Sequence, residues 1–366
     1  MTELEELVKI NLTKGIGSVM YRSLLQRFGS NSAILNAEKE ELRKVPGIGP
    51  KLAQNIVNAS RSNCVEEEFN AAEKENIKIV PYYSDDYPCN LKVIYDPPLV
   101  LYIKGNVTES DIMSLAVVGS RSCSYYGQVQ ADKMTRALTQ IGFTIVSGMA
   151  RGIDTIAHNC ALKAGGRTIA VLGCGLGYTY PKENMMLAER IAENGAVISE
   201  LPLSTPPDNR NFPPRNRIIS GLSLGVVVVE AALRNGSLIT AQWALEHGKE
   251  VFAVPGSIDS AQSKGTHKLI KEGAKLVEGI NDIVEELGPL SESLKNNNGV
   301  DVKDPRSLRL NGQEAKIFSI LSSVPMGIDD IIVATKLPAS VVASTLMILE
   351  IKKAVKQLSG KRFVKS

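Results

Sequence analysis

The chain of 366 residues is long enough for two or three domains, and its content of 43% hydrophobic and 22% charged residues is typical of a globular protein with a sizeable core. A net charge of +3 does not require a nucleic-acid partner, so any basic surface must be local. The sequence has no long apolar run and no signal-peptide pattern, and its five cysteines are scattered, which favours a cytoplasmic protein without a membrane span, a disulfide framework or a metal site.

Residues 1–78 are predicted to form a helical domain, because apolar residues recur there at helical spacing. Two glycine hairpins, Lys14–Gly17 and Val45–Gly49, each precede a predicted helix, at Ser18–Phe28 and Pro50–Ala59. These hairpins resemble helix-hairpin-helix elements, which bind DNA phosphates through backbone amides without reading the sequence. A bundle turn that needs glycine explains them equally well, so both interpretations stay open.

From residue 79 to residue 288, short Val/Ile-rich runs alternate with longer amphipathic ones. Near-continuous apolar runs such as Val226–Val229 predict strands that are buried on both faces, and hence an α/β domain with an extended Rossmann-like parallel sheet. The predicted strands are Ile77–Pro81, Leu99–Lys104, Leu115–Gly119, Thr144–Ser147, Thr168–Leu172, Ala196–Ser199, Gly225–Val229, Glu250–Val254 and Lys275–Val277. The predicted helices are Gly127–Ile141, Ile153–Ala164, Lys182–Glu193, Asn216–Leu222, Leu238–His247 and Thr266–Glu272.

Small residues stand at the ends of several of these strands, and a basic side chain accompanies some of them. Gly119 and Ser120 follow one buried strand and lead to Arg121, and Ser147 and Gly148 end the next strand. Parallel strands bring their carboxyl ends to one edge of the sheet, where backbone amides can approach an anion and an arginine offers a planar fork to phosphate. The pattern therefore predicts a phosphate-binding crevice, although an ordinary strand-to-helix turn with a solvated arginine is the alternative.

The run Gly173–Gly177 does not have the glycine spacing of a dinucleotide-binding loop, because its third glycine comes one residue early. No cofactor is therefore expected. Shortly afterwards, Pro181 and Lys182 open a predicted helix, where the amine and the first amides could bind a phosphate together. A surface lysine is the simpler interpretation of Lys182.

The segment 201–222 places Arg210 and Arg215 on either side of Phe212. Basic groups interleaved with an aromatic ring suit single-stranded nucleic acid, because cations follow the backbone and a ring stacks on a base. The backbone is expected to be held extended by Pro206, Pro207, Pro213 and Pro214.

Three other polar residues in this region are interpreted as structural. Arg217 is expected to pair with a buried carboxylate such as Glu200 or Glu230. Ser237 is the expected N-cap of the helix that follows it, and a further anion site at this helix start is an equally open alternative. His158 lies within a predicted helix, and neither Ser120 nor Ser147 has a histidine near it in the sequence, so no catalytic pair is indicated.

Residues 289–310 are rich in Ser, Asn, Asp and Lys and are predicted to be a flexible linker. Residues 311–366 are predicted to form a small winged helix-turn-helix domain. Its basic tail, 351–366, could contact a DNA duplex or a protein partner, or could be a solvated wing. The predicted elements are Gln313–Leu321, Ile328–Thr335, Ala339–Ile351, Val355–Leu358 and Arg362–Val364, with a turn at 359–360.

A series of motifs in this order resembles the DNA processing protein A family, also called Smf. The resemblance is dense over residues 80 to 288, and the predicted terminal domains resemble those of the longer members. The motifs are Gly119–Arg121, Ser147–Asp154, Tyr180–Asn184, Phe212–Leu222, Gly236–Ala241 and Ala253–Gly256.

The resemblance implies a homodimer that binds single-stranded DNA without sequence preference and is not an enzyme. It implies that the protein protects incoming strands and loads the RecA recombinase in natural transformation and recombination, countering single-strand binding protein. Arg121, with Gly119 and Ser120, would hold a phosphate, Lys182 and Arg210 would flank it, and Phe212 would stack on a base. The full set expected at the nucleic acid is Gly119, Ser120, Arg121, Ser147, Gly148, Lys182, Asn184, Arg210, Phe212, Arg215 and Asn216.

The sequence leaves two other functions open. A related group of Rossmann-type hydrolases cleaves nucleoside monophosphates with a Pro-Gly-Gly-x-Gly-Thr loop and a catalytic acid, for which Glu230 is the candidate here. The corresponding stretch, Arg234–Thr240, lacks the loop signature. A transcription regulator would read bases through Ala339–Ile351, which is mostly apolar and has no Arg, Asn or Gln. Both interpretations are less favoured than single-strand binding.

Overall fold

The computed structural model describes residues 1–62, 64–287, 312–321, 326–351, 355–358 and 362–365. The expected linker at 289–310 and the turn at 359–360 lie outside the described residues. Contacts between residues divide the chain into two compact units, and the boundary between them lies near residue 275.

The first unit begins with six helices. They are α1 (Glu3–Asn11), α2 (Ser18–Phe28), α3 (Asn31–Asn36), α4 (Lys39–Leu42), α5 (Pro50–Ser60) and α6 (Cys64–Lys74). The predicted helices after the two glycine hairpins are confirmed as α2 and α5. Both of these helices begin directly after a glycine, and α5 carries Pro50 in its first turn, where the missing N–H has no helical partner to lose.

The two glycine hairpins pack on each other's helices. Gly15 and Gly47 have φ angles of +101° and +87°, which favour glycine. A Cβ on Gly15 would lie 3.2 Å from Leu52 Cδ1 in α5, and a Cβ on Gly47 would lie 2.8 Å from Met20 Cε in α2. The hairpins therefore form a reciprocal pair, in which each turn approaches the helix that follows the other.

The helical segment shares its core with the edge of the sheet that follows. Leu7, Ile34 and Ile56 belong to one buried cluster with Val100 and Tyr102. The Leu203 backbone N–H also donates a 2.7 Å hydrogen bond to Glu68 Oε1 in α6. The N-terminal helices and this edge therefore depend on the same apolar contacts.

A nine-stranded sheet in the order β1-β2-β6-β5-β4-β3-β7-β8-β9 forms the centre of the first unit. The strands are β1 (Ile77–Pro81), β2 (Val100–Gly105), β3 (Ser114–Val118), β4 (Thr144–Ser147), β5 (Thr168–Val171), β6 (Gly195–Ser199), β7 (Gly225–Val228), β8 (Glu250–Ala253) and β9 (Lys275–Leu276). The remaining helices are α7 (Cys89–Lys92), α8 (Tyr125–Gln140), α9 (Ile153–Lys163), α10 (Met185–Asn194), α11 (Phe212–Leu222), α12 (Ser237–Glu246) and α13 (Lys264–Lys271).

The predicted parallel sheet is confirmed for the strands from β6 to β8. It is wrong for one edge, where β1 pairs antiparallel with β2, and β2 pairs antiparallel with β6. A strand that is buried by the N-terminal helices is as apolar as a parallel strand, so composition alone does not give its direction. The sheet is therefore mixed but mostly parallel.

The strand order reverses at β3, because the chain continues to β4 on one side of it and later to β7 on the other. In open α/β sheets, ligands bind at such a switch point, outside the carboxyl ends of the strands. Helices α11 and α12 cover one face of the sheet over residues such as Val118 and Val171, whereas α10 covers the other face over Ala170 and Val197. This layering leaves the carboxyl edge of β3 and β7 uncovered by helices.

Two helix starts differ from the expectations. Pro213 and Pro214 do not hold an extended segment: they lie in the first turn of α11, which begins at Phe212. Proline is well placed there, because first-turn amides have no helical acceptor. Ser237 is the first residue of α12 and not its N-cap, which is Gly236. The short helix α7 was not predicted.

The second unit contains a small helical and three-stranded module. Its elements are α14 (280–287), α15 (Gly312–Ile320), β10 (Met326–Gly327), α16 (Ile328–Thr335), α17 (Ala339–Ile351), β11 (Val355–Leu358) and β12 (Arg362–Lys365). The strands form an antiparallel sheet in the order β10-β12-β11. A buried cluster that includes Ile317, Ile331, Leu346 and Phe363 joins the helices to this sheet, as expected for a winged helix. The strand β10 was not predicted.

Among the described residues, no single helix has the length and apolar character to cross a membrane. One pair, Ile328–Thr335 with Ala339–Glu350, passes that test only when its two helices are taken together, and it is bent by 116°.

Burial of His158 makes the stability of the fold depend on pH. Thr168 Oγ1 donates to the Ile145 carbonyl oxygen, so it accepts from His158 Nδ1, at 2.7 Å, and this leaves Nε2 buried without a partner. Burial, together with the charge of Arg215, lowers the pKa of His158 to about 3. The structural role expected for this histidine is therefore confirmed.

Acidification is expected to destabilise the protein through His158. Because the pKa is lower in the folded state than in the unfolded state, its contribution is complete above about pH 6.5 and is lost as the pH falls towards 3. Between pH 6.5 and pH 5, the loss is roughly 2 kcal/mol. Urea unfolding of wild type and His158→Gln at both pH values measures it: the variant should lose less stability, and equal losses would contradict this assignment.

Candidate functional site

A cleft of about 460 Å³ opens at the switch point of the sheet. Its walls come from the turns after β3 and β7 and from the first turns of α11 and α12. The lining includes the small residues of the turn after β3 together with basic, aromatic and amide side chains: Gly119, Ser120, Arg121, Phe212, Arg215, Asn216 and Arg234. Six of these seven were predicted at the nucleic acid, and Arg234 was not.

The turn after β3 is fixed through its backbone. The Ser120 N–H donates a 2.8 Å hydrogen bond to the Glu230 carbonyl oxygen, and the Ser120 carbonyl accepts one from the Ile153 N–H at 3.2 Å. Ser120 is buried, and its Oγ accepts from the Ser122 N–H at 3.3 Å. The amide of Ser120 is therefore engaged within the protein, and this turn acts by holding the residue that follows it.

Arg121 is that residue, and its side chain is exposed in the cleft. Its guanidinium carbon lies 5.5 Å from the centre of the Phe212 ring, within the range of a cation–π contact. Within the described part of the chain, no carboxylate forms a salt bridge with Arg121. An exposed, permanently charged fork at the mouth of a cleft can bind a phosphate.

Phe212 lies at the centre of an aromatic and cationic group. Its ring stacks on Tyr180 with centroids 5.5 Å apart and planes inclined by 27°, and the Arg215 guanidinium lies 5.8 Å from it. Phe212 is half-buried and Tyr180 is 39% exposed, so part of this surface faces solvent. Tyr180 opens one of the family motifs, but it is not among the residues predicted at the nucleic acid.

Arg215 is buried beneath the cleft. Its Nη1 donates to the carbonyl oxygens of Gly148, at 2.7 Å, and of Val171. Gly148 allows this close approach, because a Cβ there would lie 2.8 Å from Arg215 Nη2. Burial lowers the pKa of Arg215 to about 10, with Asp154 opposing the shift, so the guanidinium stays charged at neutral pH. Its charge contributes to the cleft while its donors brace two strand ends.

Asp154 balances part of that charge. Its Oδ2 accepts from the backbone N–H groups of Gly148 at 3.1 Å and Ala150 at 3.2 Å. Burial raises the pKa of Asp154 to about 6, although Arg215 acts in the opposite direction. The loop after β4 is thus closed around a buried pair of opposite charges.

Five of the predicted residues do not line the cleft, and one of them is Gly148, which lies against the Arg215 guanidinium. Ser147 is fully buried and donates to the Val117 carbonyl oxygen at 2.7 Å. The Asn184 amide donates to the Met149 carbonyl oxygen at 2.9 Å and to Thr155 Oγ1 at 2.8 Å. Both side chains form hydrogen bonds that hold neighbouring segments in place, so neither is available in the cleft.

Lys182 and Arg210 are the other two. Lys182 is exposed at the start of the short turn before α10. Arg210 is paired with Asp208 at 2.6 Å, and its side chain is 89% exposed. Neither side chain lines the cleft, so the role of Lys182 and Arg210 in DNA binding stays a prediction.

Asn216 and Arg217 connect α11 to its surroundings. Asn216 Oδ1 accepts from Arg215 Nε at 3.2 Å, and its Nδ2 donates to the Gly236 carbonyl oxygen at 3.2 Å, which joins α11 to the start of α12. Arg217 pairs with Glu200 at 2.5 Å and with Asp96 at 2.9 Å. The expected pairing of Arg217 with a buried carboxylate is confirmed.

Arg234 adds a second exposed guanidinium to the cleft from the turn after β7. Asn235 holds this turn, because its Oδ1 accepts from the Ser237 N–H at 3.0 Å and from the Ser237 hydroxyl at 3.1 Å. The sequence signal was an arginine close to a Gly-Ser pair after a buried strand: Arg234 stands two residues before Gly236, whereas Arg121 directly follows Ser120.

Glu230, the candidate acid of a hydrolase, is engaged elsewhere. Its carboxylate accepts from the Ser124 N–H at 2.8 Å and from the Ser124 hydroxyl at 2.6 Å, which anchors the start of α8. In the part of the chain that the structure describes, no group of three or more His, Cys, Asp and Glu side chains is placed to hold a metal ion. The cleft thus offers cations and an aromatic surface.

Three family models match the chain. The model described as DNA recombination-mediator protein A matches residues 78–288. A DprA winged helix domain matches 302–361, and a SAM-like helix-hairpin-helix tandem matches 4–62. The matches follow the order of the elements seen in the structure.

Known proteins resemble the chain in sequence and in structure. Protein Smf of Escherichia coli is 46% identical over 242 residues, which are 66% of this chain and 64% of that protein. The crystal structure of DNA processing protein A from Streptococcus pneumoniae aligns with 78% of this chain and with 98% of the crystallised chain. The aligned residues are 37% identical, and the TM-score is 0.68. DNA processing protein A from Helicobacter pylori, described by its single-stranded DNA binding mode, covers 59% of this chain and 98% of its own, at 29% identity and a TM-score of 0.52.

Proposed function

Since the chain belongs to the DNA recombination-mediator protein A family, we propose that it binds single-stranded DNA without sequence preference through the cleft at the switch point. The observation that carries this proposal is the position of Phe212, stacked on Tyr180 and flanked by the exposed guanidinium of Arg121. Single strands are bound in this way elsewhere, because cations follow the phosphates and aromatic rings stack on bases of any identity.

The arrangement favours an unpaired strand over a duplex. In a duplex the bases are stacked on one another and cannot reach a ring inside a cleft. Arg121 and Arg234 stand on two different walls of the cleft and are both exposed, so a phosphate can approach either one while a base approaches Phe212. Contacts to phosphates carry no sequence information, and a ring stacks on any base, so neither kind of contact selects a sequence.

We further propose that the protein is a homodimer, acts in the cytoplasm without enzymatic activity and loads the RecA recombinase onto incoming strands against single-strand binding protein. The family supports this proposal, and the Glu230 carboxylate, which accepts two hydrogen bonds from Ser124, does not line the cleft. We assign the chain a helical domain at 1–78, a DNA-binding Rossmann domain at 79–288, a linker at 289–310 and a winged helix at 311–366.

Binding of a fluorescent thymine oligomer, measured by anisotropy over a range of salt concentrations beside a duplex of equal length, tests the proposal. We expect tighter binding of the single strand and an affinity that falls as salt rises. Phe212→Ala should weaken single-strand binding about fivefold, since the Tyr180 ring remains to stack on a base, and Phe212→Trp should restore it. Preference for the duplex, or an equal effect of Phe212→Ala on both DNAs, would overturn the assignment.

A further inference from the structure

An exposed tyrosine lies at the start of α8, a few residues along the chain from the cleft residue Arg121. Tyr125 is 82% exposed, more than any other large hydrophobic side chain that the structure describes. The residue before it is fixed, because Ser124 Oγ donates to Glu230 at 2.6 Å and accepts from the Gly127 N–H at 3.1 Å. The ring therefore projects into solvent from a rigid helix start.

The position of Tyr125 continues the wall of the cleft. Arg121 and Ser122 line the cleft, and four residues of chain reach at most about 14 Å, so Tyr125 lies within a few nucleotides of the proposed phosphate site. Val129, one helical turn after Tyr125, is 42% exposed and extends the same apolar helix face.

A loop from the end of β8, residues 255–263, packs beside this helix start. The Tyr126 hydroxyl donates to the Pro255 carbonyl oxygen at 2.6 Å, and Gln262 Nε2 donates to the Ser122 carbonyl oxygen at 3.4 Å. Ile258 in this loop is 73% exposed. The loop thus adds an exposed apolar side chain to the region of this helix start.

Two basic side chains lie near this surface. Arg121 lies on the cleft side. Lys264 Nζ donates to the Ile258 carbonyl oxygen at 2.6 Å, while Asp259 is the acidic residue of the loop. The Gly265 N–H donates to the Ala231 carbonyl oxygen at 2.7 Å, which places the start of α13 beside the turn that carries Arg234.

We propose that Tyr125 is a second stacking site for single-stranded DNA, over which the strand passes after it leaves the cleft at Arg121. This inference rests on the proposed function and extends it along the surface. An exposed ring that follows the cleft wall along the chain, with basic side chains in the same region, matches the features that unpaired nucleic acid requires. A protein partner would not depend on bases, and this difference decides the test.

A tryptophan in place of Tyr125 reports stacking directly. Tyr125→Trp is titrated with a thymine oligomer and with an abasic oligomer of equal length, and its fluorescence is compared with wild type, whose only tryptophan is Trp243. Tyr95→Trp is the matched control, because Tyr95 is 73% exposed and contacts Arg22 of the N-terminal helices. Anisotropy of Tyr125→Ala with the same oligomers measures the loss of affinity.

We expect quenching of Tyr125→Trp by the thymine oligomer, little quenching by the abasic oligomer and none in the control. Tyr125→Ala should bind the thymine oligomer roughly fivefold more weakly, whereas Tyr125→Trp should retain wild-type affinity. If Arg121→Ala weakens binding but Tyr125→Trp is not quenched, the second site is wrong and the proposed function stands. If Arg121→Ala binds as well as wild type and Tyr125→Trp is not quenched, the cleft assignment fails as well.

Discussion

Replacement of Arg121 by alanine is expected to weaken single-strand binding roughly tenfold to a hundredfold, because a charged hydrogen bond to a phosphate contributes about 1.5–3 kcal/mol. The loss should be the same for oligomers of every base composition, since a phosphate contact carries no sequence information. The slope of affinity against salt should also fall by about 0.7, which corresponds to one phosphate on a single strand. Anisotropy titrations at several salt concentrations measure both quantities.

The matched control is Arg136→Ala, which removes the same charge from an exposed position on α8, where Arg136 pairs with Asp132 outside the cleft. It should leave binding unchanged. Loading of RecA onto strands coated with single-strand binding protein should be lost in Arg121→Ala and kept in Arg136→Ala. Wild-type affinity and salt slope in Arg121→Ala would remove the basis for placing a phosphate in the cleft.

Replacement of Arg215 by alanine is expected to act on stability before it acts on binding. The variant leaves the buried carbonyl oxygens of Gly148 and Val171 without their donor and leaves Asp154 without its neighbouring positive charge. Each lost partner of a buried polar group costs about 1–3 kcal/mol, so the free energy of unfolding should fall by about 3–5 kcal/mol. Urea or thermal unfolding at neutral pH measures this change.

Arg210→Ala is the control for that experiment, because Arg210 is exposed five residues earlier and pairs only with Asp208 among the described residues. It should unfold as wild type does. Arg215→Lys can offer a donor to one of the two carbonyl oxygens and should recover part of the stability. A fully stable Arg215→Ala that binds DNA weakly would instead mean that this guanidinium contacts the strand.

Much of the sheet could be predicted because its strands have a simple physical signature. Runs such as Val226–Val229 are apolar on both faces and β-branched, and a strand of that composition is stable only between two layers of helices. Arg121 could also be predicted, since a charged residue two positions after a buried strand must emerge at the sheet edge. The family motifs indicated that the separate strand ends form one site.

Other features depended on contacts that are distant in sequence. Arg215 and Asn184 belong to motifs that suggest exposed DNA contacts, yet both are buried, because the carbonyl groups that they satisfy lie on other loops. Arg234 was missed because its turn is brought to the cleft only by the pairing of β7 with β3. Pro213 and Pro214 could be interpreted as an extended segment or as a helix start, and neighbouring residues decided between them.

The apolar contacts that join the N-terminal helices to the sheet edge limit what a deletion of those helices can show about their function. A shortened protein that begins at residue 78 would leave Val100 and Tyr102 bare and would tend to self-associate, whatever the helices do with DNA. Loss of DNA binding after such a deletion would therefore not implicate the hairpins. Charge reversal at Lys14 and Lys51, both exposed beside the glycine turns, asks the same question while every buried contact is kept.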